Sequence, residues 1–157
     1  MMIDAFSGYP EPKEPRIVSP TLRTIQNRIL ASQREKEFYD GDRINGYGGM
    51  KDDGRWAPIA KNIQEIYSLS SDSHVLQVGA HKGFLVRDLC NLEINAVGTE
   101  PSSYGRRVSP VPLRKAPFTR LPFHDKDFDL VIGASCVYTL NLPDAIKCLK
   151  EIQRVGR

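Results

Sequence analysis

Val75-Leu76-Gln77-Val78-Gly79-Ala80-His81-Lys82-Gly83 joins a short apolar run to a turn bounded by two glycines four residues apart. The apolar run reads as a strand and the following GFLVRDLCNL as a helix. A second strand, INAVGTE, comes next and closes on Glu100. Strand, helix and strand with short links are the unit of an α/β sheet built from right-handed crossovers. In such sheets ligands bind beyond the carboxyl ends of the strands. Small residues at Gly79, Ala80 and Gly83 let the backbone approach a ligand there, and amide protons at the helix start can receive its polar groups. Glycines at such a turn also serve ordinary turn chemistry.

C-terminal to this unit, residues 101–117 are rich in proline and poor in helical pattern, with a brief strand expected near Val111 to Leu113. FDLVIGASCV, residues 128–137, is an apolar run without alternation, as a parallel strand covered on both faces should be. Asn141-Leu142-Pro143 opens a last helix with Ile146, Leu149 and Ile152 on one face. N-terminal to the unit, residues 1–19 read as an irregular arm, with prolines at 10, 12 and 15. Ser19-Pro20 reads as the start of a helix over about 20–37. Residues 38–56 form a loop, broken by glycines and aspartates but carrying Phe38, Tyr39, Tyr47 and Trp56. A loop with that many aromatics packs on something or covers a ligand. A second helix follows over about 57–68.

The 157 residues suffice for one domain with a core, and a formal charge of +3 is too mild to indicate nucleic acid or an anionic membrane. No stretch reaches the roughly 18 apolar residues of a membrane helix, and the N-terminus lacks a secretory pattern, so a cytoplasmic location is expected. Cys90, Cys136 and Cys148 read as buried free thiols. With His74, His81 and His124 they show no metal-site spacing, and no metal is expected.

Glu100 follows Gly79 by 21 residues. A carboxylate at the end of the second strand can accept hydrogen bonds from both hydroxyls of a ribose, so the two signals together indicate a nucleoside-containing ligand. A dinucleotide is disfavoured, because His81 and Phe84 stand where G-x-G-x-x-G wants glycines. No phosphate-binding G-x-x-x-x-G-K-[ST] is present either.

VLQVGAHKGFLVRDL resembles the first motif of the class I S-adenosylmethionine-dependent methyltransferases, usually VLDIGCGxG. Leu121-Pro122-Phe123, Asp125, Phe128-Asp129 and the closing helix resemble their LPF-x-D-x-x-FD-x-V segment, and GYGGMKDDGRWAPIAKNI resembles an upstream region. The resemblance spans about residues 35–157. It implies a Rossmann-like α/β fold, here its N-terminal half with strand order 3-2-1-4, preceded by two helices. It implies S-adenosyl-L-methionine as cofactor, with Gly79, Ala80 and Gly83 along the methionine part and Glu100 on the ribose. Lys115 and Ala116 would lie beside the adenine, and Ser135 would face cofactor and substrate. Tyr47 and Arg55 would lie in the N-terminal cover, Arg55 within reach of the cofactor carboxylate. Two residues depart from the motif: Gln77 stands for the usual acid, and His81 for a small residue.

The domain organisation expected is an arm over 1–19, a helical cover over 20–70 and a partial cofactor-binding domain over 71–157. Methyl transfer to a small-molecule acceptor is the first function expected, with no catalytic residue assigned. A catalytically inactive methyltransferase-like binding domain is the second, and a nicotinamide-dependent dehydrogenase a distant third. The strand over 128–137 would be left as an apolar edge, a place for self-association or a partner.

Overall fold

The computed structural model describes residues 4–10, 19, 22–134 and 136–157. Most of the N-terminal arm, together with Pro20 and Ser135, lies outside them. Four strands, β1 (His74–Val78), β2 (Asn95–Thr99), β3 (Leu113–Arg114) and β4 (Leu130–Ile132), form one parallel sheet in the order β3-β2-β1-β4. This is the order that the resemblance implies for the N-terminal half of a Rossmann-like sheet.

β1 is the central strand, and alternate residues enter opposite cores. Val75 joins Ile59, Ile63, Leu85, Leu89 and Ile132 on one face. Leu76 and Val78 join Phe118, Leu121, Phe128, Cys136, Cys148 and Val155 on the other. Helices α3 (Trp56–Ile66) and α4 (Phe84–Asn91) supply the first layer, and the last helix, Leu142–Val155, helps supply the second. A parallel sheet covered on both faces explains the nearly continuous apolar runs.

Local chemistry shifts several boundaries. The first helix, α1, runs Ile25–Gln33 rather than from residue 20, because Thr24 caps it in a reciprocal capping box with Asn27. Arg34 takes a left-handed φ of 52° and ends it, so Lys36–Tyr39 forms a separate short helix, α2. Residues 101–117 contain a helix the sequence pattern did not reveal, α5 (Ser103–Arg107), capped by the Ser102 side chain on the Gly105 amide.

The expected strand over 128–137 shortens to β4. At Gly133 the chain turns close to the last helix: a side chain there would press on Ile152 Cδ1. Cys136 is then buried and Val137–Thr139 makes one 3-10 turn. In that last helix, α6, Cys148 and Val155 are buried, whereas Leu142, Ile146 and Leu149 are exposed. Just before β4, Phe128 makes a parallel bridge with Gly156. Cys90 is exposed, contrary to the expectation of three buried thiols, because it falls on the outer rim of α4.

Candidate functional site

The turn after β1 is held to the end of β2. The amides of Gly79 and Ala80 both donate to Thr99 O at 2.9 Å. Gly79 and Gly83 each have a φ of 74°, a left-handed conformation costly for other residues. A side chain at Gly79 would meet the Phe118 ring at 3.3 Å, and one at Gly83 would collide with Ser109 Oγ. Ala80 and His81 are buried between them. His81 also has a positive φ, 55°, a conformation histidine tolerates better than most side chains.

Glu100, the residue after β2, is fully buried. Its Oε2 accepts from the His81 amide at 2.8 Å, and its Oε1 from the Ser102 amide at 2.9 Å. Tyr39 reaches over from α2, and its hydroxyl donates to Glu100 Oε1 at 3.3 Å. Burial raises the Glu100 pKa, opposed by the two amides, the Arg34 charge and the Tyr39 hydroxyl.

His81 links this carboxylate to the cover loop. Its Nδ1 lies 3.4 Å from the Tyr39 hydroxyl and its Nε2 3.3 Å from the Tyr47 hydroxyl. Because the Tyr39 proton is committed to Glu100, the self-consistent tautomer carries its proton on Nδ1 and accepts from Tyr47 at Nε2. Burial, with the Arg34 charge, pushes the imidazole down to about 4, so it is neutral at pH 7. Burial likewise raises both tyrosine hydroxyls. The side-chain bonds in this relay are all longer than the usual O–H···O optimum of roughly 2.7–2.8 Å.

Carboxylates pin the cover segment down. Glu35 accepts from the Ser103 amide, the Ser103 hydroxyl and the Tyr104 amide at 2.8–3.0 Å, and so occupies the start of α5. Asp40 accepts from Lys82 Nζ at 2.8 Å and from the Tyr104 hydroxyl at 2.6 Å. Tyr39 is stacked between Tyr47 and Tyr104. The aromatic loop thus packs directly on the strand ends. Its sequence carried that signal only as aromatic density, and nothing local named Tyr39 as the partner of Glu100.

The remaining sequence candidates are distributed around this cluster. Ala116 is buried beside an open groove of about 480 Å³, lined also by Lys115, Arg120 and His124. Arg55 precedes α3, where its guanidinium is held by Asp53 at 2.5–2.9 Å and lies over the Tyr9 ring. Ser135 lies outside the described residues. Gln77 is buried in β1, and its side-chain oxygen has no hydrogen-bond partner. Among the described residues there is no group of three His, Cys, Asp or Glu that could hold a metal ion. No helix among them is long and apolar enough to cross a membrane.

A family model described as a methyltransferase domain matches residues 76–157, more than half of the chain. The chain belongs to the class I S-adenosylmethionine-dependent methyltransferase family. Solved structures share its fold. The PH0226 protein of Pyrococcus horikoshii is 18% identical with a TM-score of 0.61, over 80% of this chain and 56% of that one. A SAM-dependent methyltransferase of Aquifex aeolicus is 19% identical with a TM-score of 0.56, over 68% and 63%. The [4+2]-cyclase SpnF is 18% identical with a TM-score of 0.56, over 64% and 41%. This methyltransferase-family chain therefore spans between 41% and 63% of the length of these three. No curated protein matches it in sequence.

Proposed function

We propose that the chain binds S-adenosyl-L-methionine at the carboxyl ends of β1 and β2 and directs methyl transfer to a small-molecule acceptor. The observation that carries this reading is Glu100. It is buried just after β2, held by the His81 amide of the glycine turn and by the Ser102 amide, and its further donor is a hydroxyl group. A hydroxyl on this carboxylate is the interaction a ribose would make, and the Tyr39 hydroxyl stands in its place. The long Tyr39 bond makes that exchange inexpensive. Gly79 leaves open the space a side chain would fill beside Phe118 and Cys136. The residues present therefore fit the cofactor once Tyr39 yields.

When bound, the cofactor supplies a methyl group already activated on a sulfonium centre. The protein's part is then binding, orientation and exclusion of water. Glu100 orients the nucleoside, the glycine turn admits the chain that follows it, and the Tyr39–Tyr47 cover closes the site from solvent.

A second reading is a methyltransferase-like domain that binds without catalysing. The packing of Tyr39, His81 and Phe118 around the turn favours it, and the fold is shared by a protein named a cyclase. Incubation of the purified chain with S-adenosyl-L-methionine and a panel of small nucleophiles separates the two. Acceptor-dependent release of S-adenosylhomocysteine is the outcome of the first reading. Saturable cofactor binding with no release for any acceptor supports the second.

A further inference from the structure

Two of the three thiols meet inside the second core. Cys136 follows β4, and Cys148 lies in the second turn of α6. Their sulfurs are 3.7 Å apart, and both residues are fully buried. The Cys148 thiol donates to the Cys136 sulfur, and the Cys136 thiol donates on to Gly133 O at 3.4 Å. Nothing in the proposed methyl transfer uses either group. Cys136 also walls the glycine turn: a side chain at Gly79 would meet its Cβ at 3.5 Å, beside the Phe118 ring. Cys90 stands apart. It is exposed on α4, and its thiol bonds to Ala96 O instead.

Two sulfurs in contact on separate elements are a small displacement from a covalent bond. An S–S bond is about 2.05 Å long, so they must close by roughly 1.7 Å, a movement of the scale that rotation about the two Cα–Cβ bonds provides. Burial pushes both thiols up, Cys136 to about 12, so the thiolate is scarce at neutral pH and the pair reacts slowly. Between Cys136 and α6 the chain makes only the 3-10 turn Val137–Thr139, whose Tyr138 is exposed. Local opening of that turn admits a small oxidant.

We infer that Cys136 and Cys148 form a paired oxidation site, which hydrogen peroxide converts to an intramolecular disulfide tying the segment after β4 to α6. The first thiolate takes one oxygen from the peroxide as the O–O bond breaks, giving a sulfenic acid and, with a proton, water. The second thiol attacks that sulfur, the S–S bond forms, the S–O bond breaks and a second water leaves. Two thiols are oxidised by two electrons and one peroxide is reduced to two waters. An external dithiol reverses the change by exchange. The site needs only the packing of the second core and does not rest on the cofactor reading.

The test treats the wild-type chain and Cys90→Ser with hydrogen peroxide, removes the oxidant with catalase, alkylates the remaining thiols in denaturant and maps the digest by mass spectrometry. Cys90→Ser alters an exposed residue, so it keeps the fold while removing the competing thiol. The expected product in both is a monomer in which the Cys136 and Cys148 peptides are joined, two hydrogen atoms lighter, and separate on adding dithiothreitol. Its rate of formation should rise by close to tenfold per pH unit between pH 7 and 9, following the thiolate fraction. Bonds running to Cys90 in the wild-type chain, or Cys136 and Cys148 still alkylated in Cys90→Ser after prolonged peroxide at pH 9, overturn the inference. Conversion of the two to separate sulfinic acids with no bond between them also overturns it.

Discussion

The Tyr39 hydroxyl donates to Glu100 Oε1 at 3.3 Å across 61 residues of sequence, closing the carboxylate at the end of β2 with a side chain from the N-terminal cover. On the proposed reading, that contact makes the cover and the nucleoside ligand competitors for one acceptor. It also divides the two consequences of losing it, because stability and ligand affinity should move in opposite directions.

Tyr39→Phe removes the hydroxyl and keeps the stacked ring. Glu100 retains both backbone donors, but the buried His81 Nδ1–H loses its acceptor, so the cost to stability should be about 1–3 kcal/mol. Cofactor affinity should rise by up to about fivefold, the value of the one Tyr39–Glu100 bond returned to the ligand. Urea denaturation and calorimetry on the same preparation check both signs. An affinity that falls together with stability contradicts the competition.

His81 gives the fold an acid limb. Its imidazole titrates near 6.5 when unfolded and at about 4 in the buried cluster. Between those values the unfolded chain binds the extra proton, so stability rises with pH across the window and is lost as pH falls from 6.5 toward 4. The full effect is on the order of 3 kcal/mol. Glu100, raised by burial, has the opposite sign: the folded state holds its proton longer, and stability falls as pH rises above the ordinary carboxylate value. His81→Asn, which tolerates the left-handed backbone, should flatten the His81 limb in melts recorded between pH 4 and 7. An unchanged difference between pH 4 and 6.5 would place the imidazole in solvent instead.

Gln77 is buried with an orphaned side-chain oxygen at the position where the family motif carries an acid. Gln77→Leu removes a polar group that has no partner, and should be neutral or slightly stabilising by melting temperature. Gln77→Asp buries a carboxylate and should destabilise the free chain by roughly 1–3 kcal/mol. Added cofactor, whose ammonium group could pair with that acid, should recover part of the loss. A Gln77→Leu variant several degrees less stable would reveal a bond to Gln77 that the structure does not contain.

The α/β class was legible in the strand–helix alternation around the glycine turn, whereas the sheet order followed only from the resemblance to the methyltransferase family. Boundaries were less legible where a single backbone contact decides them. β4 stops at Gly133 because α6 packs there, and α5 forms because Ser102 caps it inside a proline-rich stretch. In α6 the expected face of Ile146, Leu149 and Ile152 meets the core only at Ile152, which packs there with Cys148 and Val155, while Ile146 and Leu149 are exposed. The cluster around Glu100 was half legible. The glycines and the acid follow from strand–turn chemistry, whereas Tyr39, Arg34 and the orientation of His81 depend on where a segment 40 to 60 residues upstream lands. No local pattern carries that information.

Equilibrium dialysis of labelled S-adenosyl-L-methionine against the wild-type chain and Glu100→Gln bears most directly on the account. Glutamine keeps the size of the side chain but leaves a hydroxyl or amide partner facing its NH₂ group. Saturable one-to-one binding by the wild-type chain, weakened more than about tenfold in Glu100→Gln with the fold retained, is the predicted result. Binding that survives Glu100→Gln unchanged, or no saturable binding by either the wild-type chain or Tyr39→Phe, would contradict it.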